Sequence, residues 1–243
     1  MLNDGIISCA RYAFMPNKLS YCGPDKNRDL FEYSSTGLCD AGLIEILEEF
    51  KTMFPYLNFI ALANKIADPF DKRVVEAYWL GNNLLKSVSA QKFYDHLIDD
   101  QEMKRRTNLK DWSVIENKLA KGAKPTHNFH VFNVFMRTGN LPVRHTLETM
   151  DACRISWGKI IGVETDYLLV ETEPLVSLNN RLSLGSAITK KVLRQIEGKT
   201  VLANLKIGDL ISIHWNWACE KINLRQKHDL DLWTKYNLAL FNS

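Results

Sequence analysis

Cys153-Arg154-Ile155-Ser156-Trp157-Gly158-Lys159-Ile160 marks the point at which the chain changes rhythm. On its N-terminal side, from about residue 4 to 150, apolar residues recur at helical spacing, as in Ile6, Ala10, Ala13, Phe14 and again in Leu43, Leu47, Phe50, Phe54. On its C-terminal side they gather in short runs at 155–163, 167–171, 191–195, 200–205 and 209–215, rich in Ile, Val, Leu, Tyr and Trp. Gly158, Gly162, Pro174, Gly185, Gly198 and Gly208 fall at or near the joints, a spacing suited to a small antiparallel barrel. A last helix is predicted from Asn223 as cap, with Leu230, Trp233, Leu240 and Phe241 on its apolar face. The expected class is α+β, with a mainly helical domain over 1–150 and a β-barrel with a C-terminal helix over 151–243.

Punctuation in the first half supports the helices. Asp40 and Asp111 stand where N-caps belong, Pro69 follows Asp68 as a first-turn proline would, and Gly122 is placed to end a helix. Residues 15–24, with Pro16-Asn17 and Cys22-Gly23-Pro24, read as a loop between the first two helices.

Composition narrows the function classes. With 31 Lys+Arg against 28 Asp+Glu over 243 residues, the formal charge is +3, and 46% of residues are hydrophobic. These proportions exclude disorder, collagen and a disulfide miniprotein. A charge this small, without a concentrated basic face, argues against nucleic acid, and Lys104-Arg105-Arg106 reads as a solvated helix end. The most apolar stretch, 53–63, is interrupted by Pro55 and Asn58 and is too short to span a membrane. The first residues lack the basic n-region and apolar core of a secretory signal. Five widely spaced cysteines show no paired framework, so reduced thiols and a cytoplasmic location are expected.

Motifs with fixed spacing for metals, phosphates or dinucleotides are missing: there is no C-x-x-C, H-E-x-x-H, G-x-x-x-x-G-K or G-x-G-x-x-G. Two looser constellations remain. In Thr126-His127-Asn128-Phe129-His130-Val131-Phe132 the histidines are three apart, so a helix would project both from one face, toward a shared metal or anion or as half-buried core imidazoles. Cys22 in Tyr21-Cys22-Gly23-Pro24 is either a thiol packed under a turn or a nucleophile awaiting a histidine, and Arg11 is available for an anion. Together Cys22, His127, His130 and Arg11 make a candidate enzyme or small-molecule site in the helical half. In the second half, Cys153 opens the barrel and His214 ends one of its strands in Gly208-Asp209-Leu210-Ile211-Ser212-Ile213-His214-Trp215-Asn216-Trp217-Ala218. Thiolate and imidazole suit a soft metal, while a core cysteine and an edge histidine would look the same in sequence.

The order of these C-terminal segments resembles the HypC/HupF-type chaperones of nickel-iron hydrogenase maturation. Cys153 matches their leading cysteine, Gly158-Lys159-Ile160-Ile161 their first strand, Gly208-Asp209 their turn, His214 their histidine, and Ala218 with Glu220-Lys221-Ile222 their run into the last helix. The resemblance covers residues 153–243. Here the cysteine is internal, Ser156-Trp157 replaces an aliphatic-proline pair, and Asn216-Trp217 replaces Gly-Phe. It implies an OB-like barrel and a non-enzymatic accessory role in hydrogenase or related metallocluster assembly. Cys153 would be the tentative metal ligand, holding iron of an Fe(CN)2CO-type precursor or contacting a partner, with His214 in support. The implied partners are the hydrogenase large subunit or a maturation scaffold protein. The whole chain also resembles an uncharacterised prokaryotic family of unknown function, through Cys9-Ala10-Arg11-Tyr12-Ala13-Phe14, Pro16-Asn17, Tyr21-Cys22-Gly23-Pro24, the segment 127–132, Cys153 to Gly158 and His214-Trp215-Asn216-Trp217.

Overall fold

The structure, a computed structural model, describes residues 3–106, 108–134 and 145–243. Helices α1 (Asn3–Lys18), α2 (Asn27–Thr36), α3 (Ala41–Glu48), α4 (Met53–Ala63), α5 (Lys72–Trp79), α6 (Ala90–Asp99), α7 (Met103–Arg106) and α8 (Leu109–Ala120) form the first part. Asp40 caps α3 and Gly122 follows α8 at φ +92°, as the sequence suggests. Elsewhere the caps differ. α5 begins after Asp71, whose carboxylate accepts from Arg73 N–H, so Pro69 lies in the preceding turn; α8 is capped by Asn108 and holds Asp111 in its first turn. The predicted loop over 15–24 is shorter than expected because α1 runs through Pro16 to Lys18.

A single turn, α9 (His127–Phe129), opens behind its cap Thr126 and continues as a π-helical turn, His130–Val134. Helix α10 (Leu147–Cys153) then leads into the sheet. Strands β1 (Ser156–Val163), β2 (Tyr167–Thr172), β5 (Ile188–Leu193), β8 (Leu210–His214) and β9 (Trp217–Ile222) close a barrel in the order β1-β2-β5-β9-β8. All neighbours are antiparallel except β5 and β9, whose parallel pairing at Leu193 and Trp217 completes the ring. This is the Greek-key order of an OB-type barrel. Two hairpins lie outside it, β3 (Leu175–Leu178) with β4 (Arg181–Leu184), and β6 (Gln195–Ile196) with β7 (Lys199–Thr200). Residues 201–205, expected in a strand, are irregular, while 217–222, read as a lead into the last helix, form β9. Helix α11 (Leu224–Phe241) closes the chain behind a capping box of Asn223 and Gln226.

One apolar cluster runs through both parts. Phe14 of α1 meets Trp217 of β9 edge-on at 5.3 Å, and Phe31 of α2 stacks on Phe14 at 4.7 Å. Tyr12 of α1 shares a buried hydrogen bond with Ser212 of β8 (2.8 Å) and donates to Glu220 of β9 (3.1 Å). The first helix is thereby a wall of the barrel. Behind it, Asn128 accepts from Ile155 N–H (2.7 Å) and donates to the Ile155 carbonyl and the Thr234 hydroxyl (both 3.0 Å), joining α9, the start of β1 and α11. Among the described residues no helix is long and apolar enough to cross a membrane.

A candidate metal centre between the helices and the barrel

Three buried side chains converge where these layers meet. One ligand atom from each of His127, Cys153 and His214 lies within 4.8 Å of the others. Cys153 Sγ is 3.9 Å from His127 Nε2, and the two imidazole rings meet nearly perpendicular at 4.9 Å. A tetrahedral ion with metal–sulfur and metal–nitrogen bonds near ~2.3 and ~2.0 Å needs donors roughly 3.3–3.6 Å apart, so shifts of about 1 Å or less close the site.

Each donor is held by an identifiable feature of the chain. His214 ends β8, and Trp215-Asn216, both at positive φ (+52° and +59°), form the two-residue turn into β9. A bulky tryptophan in the left-handed region is uncommon. The strained residue is fastened: Trp215 N–H donates to the Ala152 carbonyl at 2.7 Å, and the Asn216 carbonyl accepts from Leu193 N–H at 2.8 Å. The turn that aims His214 is thus tied to the residue before Cys153. Cys153 itself lies at the end of α10, where Asp151 takes Arg154 Nε (2.8 Å) and Leu175 N–H (2.8 Å) and fixes the helix exit. His127 follows the Thr126 cap directly.

The outer contacts set the tautomers. His214 Nδ1 donates to the Tyr12 carbonyl at 2.8 Å, which directs the Nε2 lone pair to the centre. That carbonyl is available because Pro16, one turn on in α1, has no N–H to return to it. His127 Nε2 donates to the Cys153 carbonyl at 2.9 Å, and its Nδ1 meets the Tyr78 hydroxyl at 3.3 Å. Burial keeps the Tyr78 phenol far above its ordinary pKa, so the hydroxyl stays neutral and serves as donor or acceptor. Ligation through Nε2 requires the Nε2 proton to move to Nδ1, with the Tyr78 hydroxyl accepting its hydrogen bond, and the bond to the Cys153 carbonyl to be given up. Trp79 packs against both imidazoles, 4.7 Å from His127 and 5.6 Å from His214, and Tyr12 stacks on its own ring at 5.0 Å.

The cluster opens onto a cavity of about 50 Å³ lined also by Ala13, Cys22, Phe50, Thr52, Met53 and His130. His130 takes part through Nδ1, 3.3 Å from the Tyr56 hydroxyl. Cys22 reaches the wall because Asn17 donates to the carbonyls of Cys22 (2.9 Å) and Pro24 (2.6 Å), and because Gly23, at φ +80°, lies so close to Phe50 that a Cβ would clash. The two constellations seen separately in sequence, Cys22/His127/His130 and Cys153/His214, therefore line one cavity. Arg11 does not line it; its charge acts instead on the Glu220 carboxylate of β9. Cys9, whose thiol burial pushes up to about 12, contacts Met53 Sδ at 3.4 Å and remains a neutral neighbour. None of the five cysteines is paired in a disulfide.

The chain belongs to a family of unknown function. The matching family, DUF6390, spans residues 1–243. This full-length match agrees with the whole-chain resemblance and gives no support to a HypC/HupF-type likeness of residues 153–243. No curated protein and no solved structure matches the chain.

Proposed function

We propose that this protein holds a single transition-metal ion of the zinc or iron class through His127, Cys153 and His214. The observation that carries the reading is the convergence of two imidazoles and one thiol, all buried, within 4.8 Å. Two nitrogens and one sulfur suit a borderline or soft divalent ion, and three protein ligands beside a cavity leave a fourth position open, the pattern of reactive rather than structural sites. The metal would supply Lewis acidity at that position. The chain's own groups hold and orient it: Tyr12 and Tyr78 fix the imidazoles, Trp79 packs against both, and the apolar wall excludes bulk water.

The accessory role in metallocluster maturation is the narrower reading, with iron carried on Cys153 to a client protein. Cys153 is only 5% exposed, and handing cargo to another protein requires the sulfur at a surface, so we favour a resident centre. A second chemistry is favoured by the 3.9 Å contact between Cys153 Sγ and His127 Nε2, a thiol beside a base, as in a cysteine nucleophile. Equilibrium dialysis against Zn²⁺ separates these. One ion per chain, lost in Cys153→Ser and in His214→Gln, supports the centre; no binding above background, with rapid alkylation of Cys153 in the folded chain, supports the nucleophile.

A further inference from the structure

We infer that the open position of this centre selects a small monoanion, a conclusion that rests on the metal reading above. Charge decides it. A divalent ion bound by one thiolate and two neutral imidazoles leaves a net charge of +1 in a buried site. Among the described residues, no Asp, Glu, Lys or Arg lines the cavity. Two acids belong to the site's frame and both are engaged elsewhere: Asp151 accepts from Arg154 Nε and Leu175 N–H, and Glu220 from Tyr12 Oη, while the Tyr12 carbonyl faces His214. An uncompensated charge away from water is costly, and a carboxylate ligand or neighbour is the usual remedy. The described lining offers no carboxylate, and with Cys22 in the wall and outside the ligand set an exogenous anion supplies the missing charge.

Size and polarity define the anion further. About 50 Å³ of space, at roughly 10–15 Å³ per water-sized group, admits three to five atoms. The wall is mostly apolar, from Ala13, Phe50, Met53 and Trp79, and its polar side chains Thr52, Tyr78, His130 and His145 are too few to surround a polyoxygen anion such as phosphate or sulfate with hydrogen bonds. The ligand class is a compact, weakly hydrated monoanion of two to four heavy atoms, or a small acid that ionises on binding.

The wall itself offers a way to test the charge. Thr52 is the residue before α4 and makes no side-chain capping bond there. Its backbone is helical (φ −101°, ψ −53°), so no capping preference separates Asp from Asn there; Thr52→Asp and Thr52→Asn are matched in size, both are checked for folding by thermal unfolding, and only the first adds a negative charge to the cavity. The experiment titrates the Co²⁺-loaded protein with azide, thiocyanate and neutral imidazole, following the visible bands of the ion. We expect saturable shifts with azide and thiocyanate and none with imidazole. Thr52→Asp should weaken azide at least tenfold with one cobalt still bound, and Thr52→Asn should leave azide affinity within about twofold of the parent. Imidazole binding as tightly as azide, no response to either anion from a fully loaded protein, or equal azide affinity in the two variants would overturn the inference while leaving the metal site standing. Failure to load cobalt at all would overturn the metal reading first.

Discussion

The barrel and the helical layer contribute to the cavity in different ways. His214 comes from the end of a strand whose ladder to β1 and β9 fixes its backbone, and Cys153 from a helix exit pinned by Asp151. His127 comes from one helical turn that passes at once into π-helical geometry, a form concentrated at functional sites, and is held by side chains: Thr126, Tyr78 and the neighbouring Asn128. The barrel side is positioned by backbone pairing, the helical side by buried polar side chains. Substitutions on the two sides should therefore fail differently, in metal affinity alone on one and in stability on the other.

The largest effect should come from a donor. Replacing His214 by Gln should remove one of the three proposed ligands and, at the about 10–16 kcal/mol typical of structural zinc sites, weaken Zn²⁺ on the order of a thousandfold. His130→Gln, which alters the wall and not the ligand set, should change affinity less than tenfold. Equal losses in a competition titration with a fluorescent chelator would erase the distinction between wall and ligand.

Next is Asn128→Ala. It strands the Ile155 N–H and carbonyl and the Thr234 hydroxyl in the interior, and we expect a loss of about 2–4 kcal/mol in urea unfolding of the metal-free chain. A loss under 1 kcal/mol would mean that the helical donor is not held by this network.

Smaller, and more specific, is Pro16→Ala. The new N–H can return to the Tyr12 carbonyl, competing with His214 Nδ1 for it, so Zn²⁺ affinity should fall about 10–100-fold while the folded chain is as stable as before or more so. If affinity is unchanged, the freed carbonyl does not set the His214 tautomer.

The smallest effect is a pH slope on the helical side. Lys118 donates to Asn133 of the π turn (3.0 Å) and to the Leu240 (2.9 Å) and Phe241 (3.2 Å) carbonyls at the end of α11, and burial lowers its pKa from 10.5 to about 8. Between these values the unfolded chain binds more protons than the folded one, so this lysine's contribution to stability rises with pH from about 8 to 10.5. Lys118→Met should flatten the slope over that window. An unchanged slope would place the titration elsewhere.

The sequence was readable where local rules act alone. The change of period near Cys153, the Asp40 and Asn223 caps and the main barrel strands follow from residue spacing and capping chemistry. Strand β9 was not, because Glu220-Lys221 looks polar: Glu220 is buried through Tyr12, a partner 208 residues away, and Lys221 pairs with Asp209 across the hairpin. The site was half legible. Its three donors were visible, divided between a pair, Cys153 and His214, and a group of four, Cys22, His127, His130 and Arg11, while His145, Tyr78 and Trp79 were not singled out; their union depends on α1 lying along the barrel, a long-range contact that no spacing encodes. One local signal was available, Pro16. Read as a loop residue, it is instead the break in α1 that leaves the Tyr12 carbonyl open to His214.

The most direct test of the centre uses the thiolate as its own reporter. Cobalt added to the metal-free chain should bind with a ratio of one and produce a sulfur-to-cobalt charge-transfer band that disappears in Cys153→Ser and persists in Cys22→Ser. A band that survives Cys153→Ser, or cobalt that binds wild type without one, would contradict a metal held by His127, Cys153 and His214.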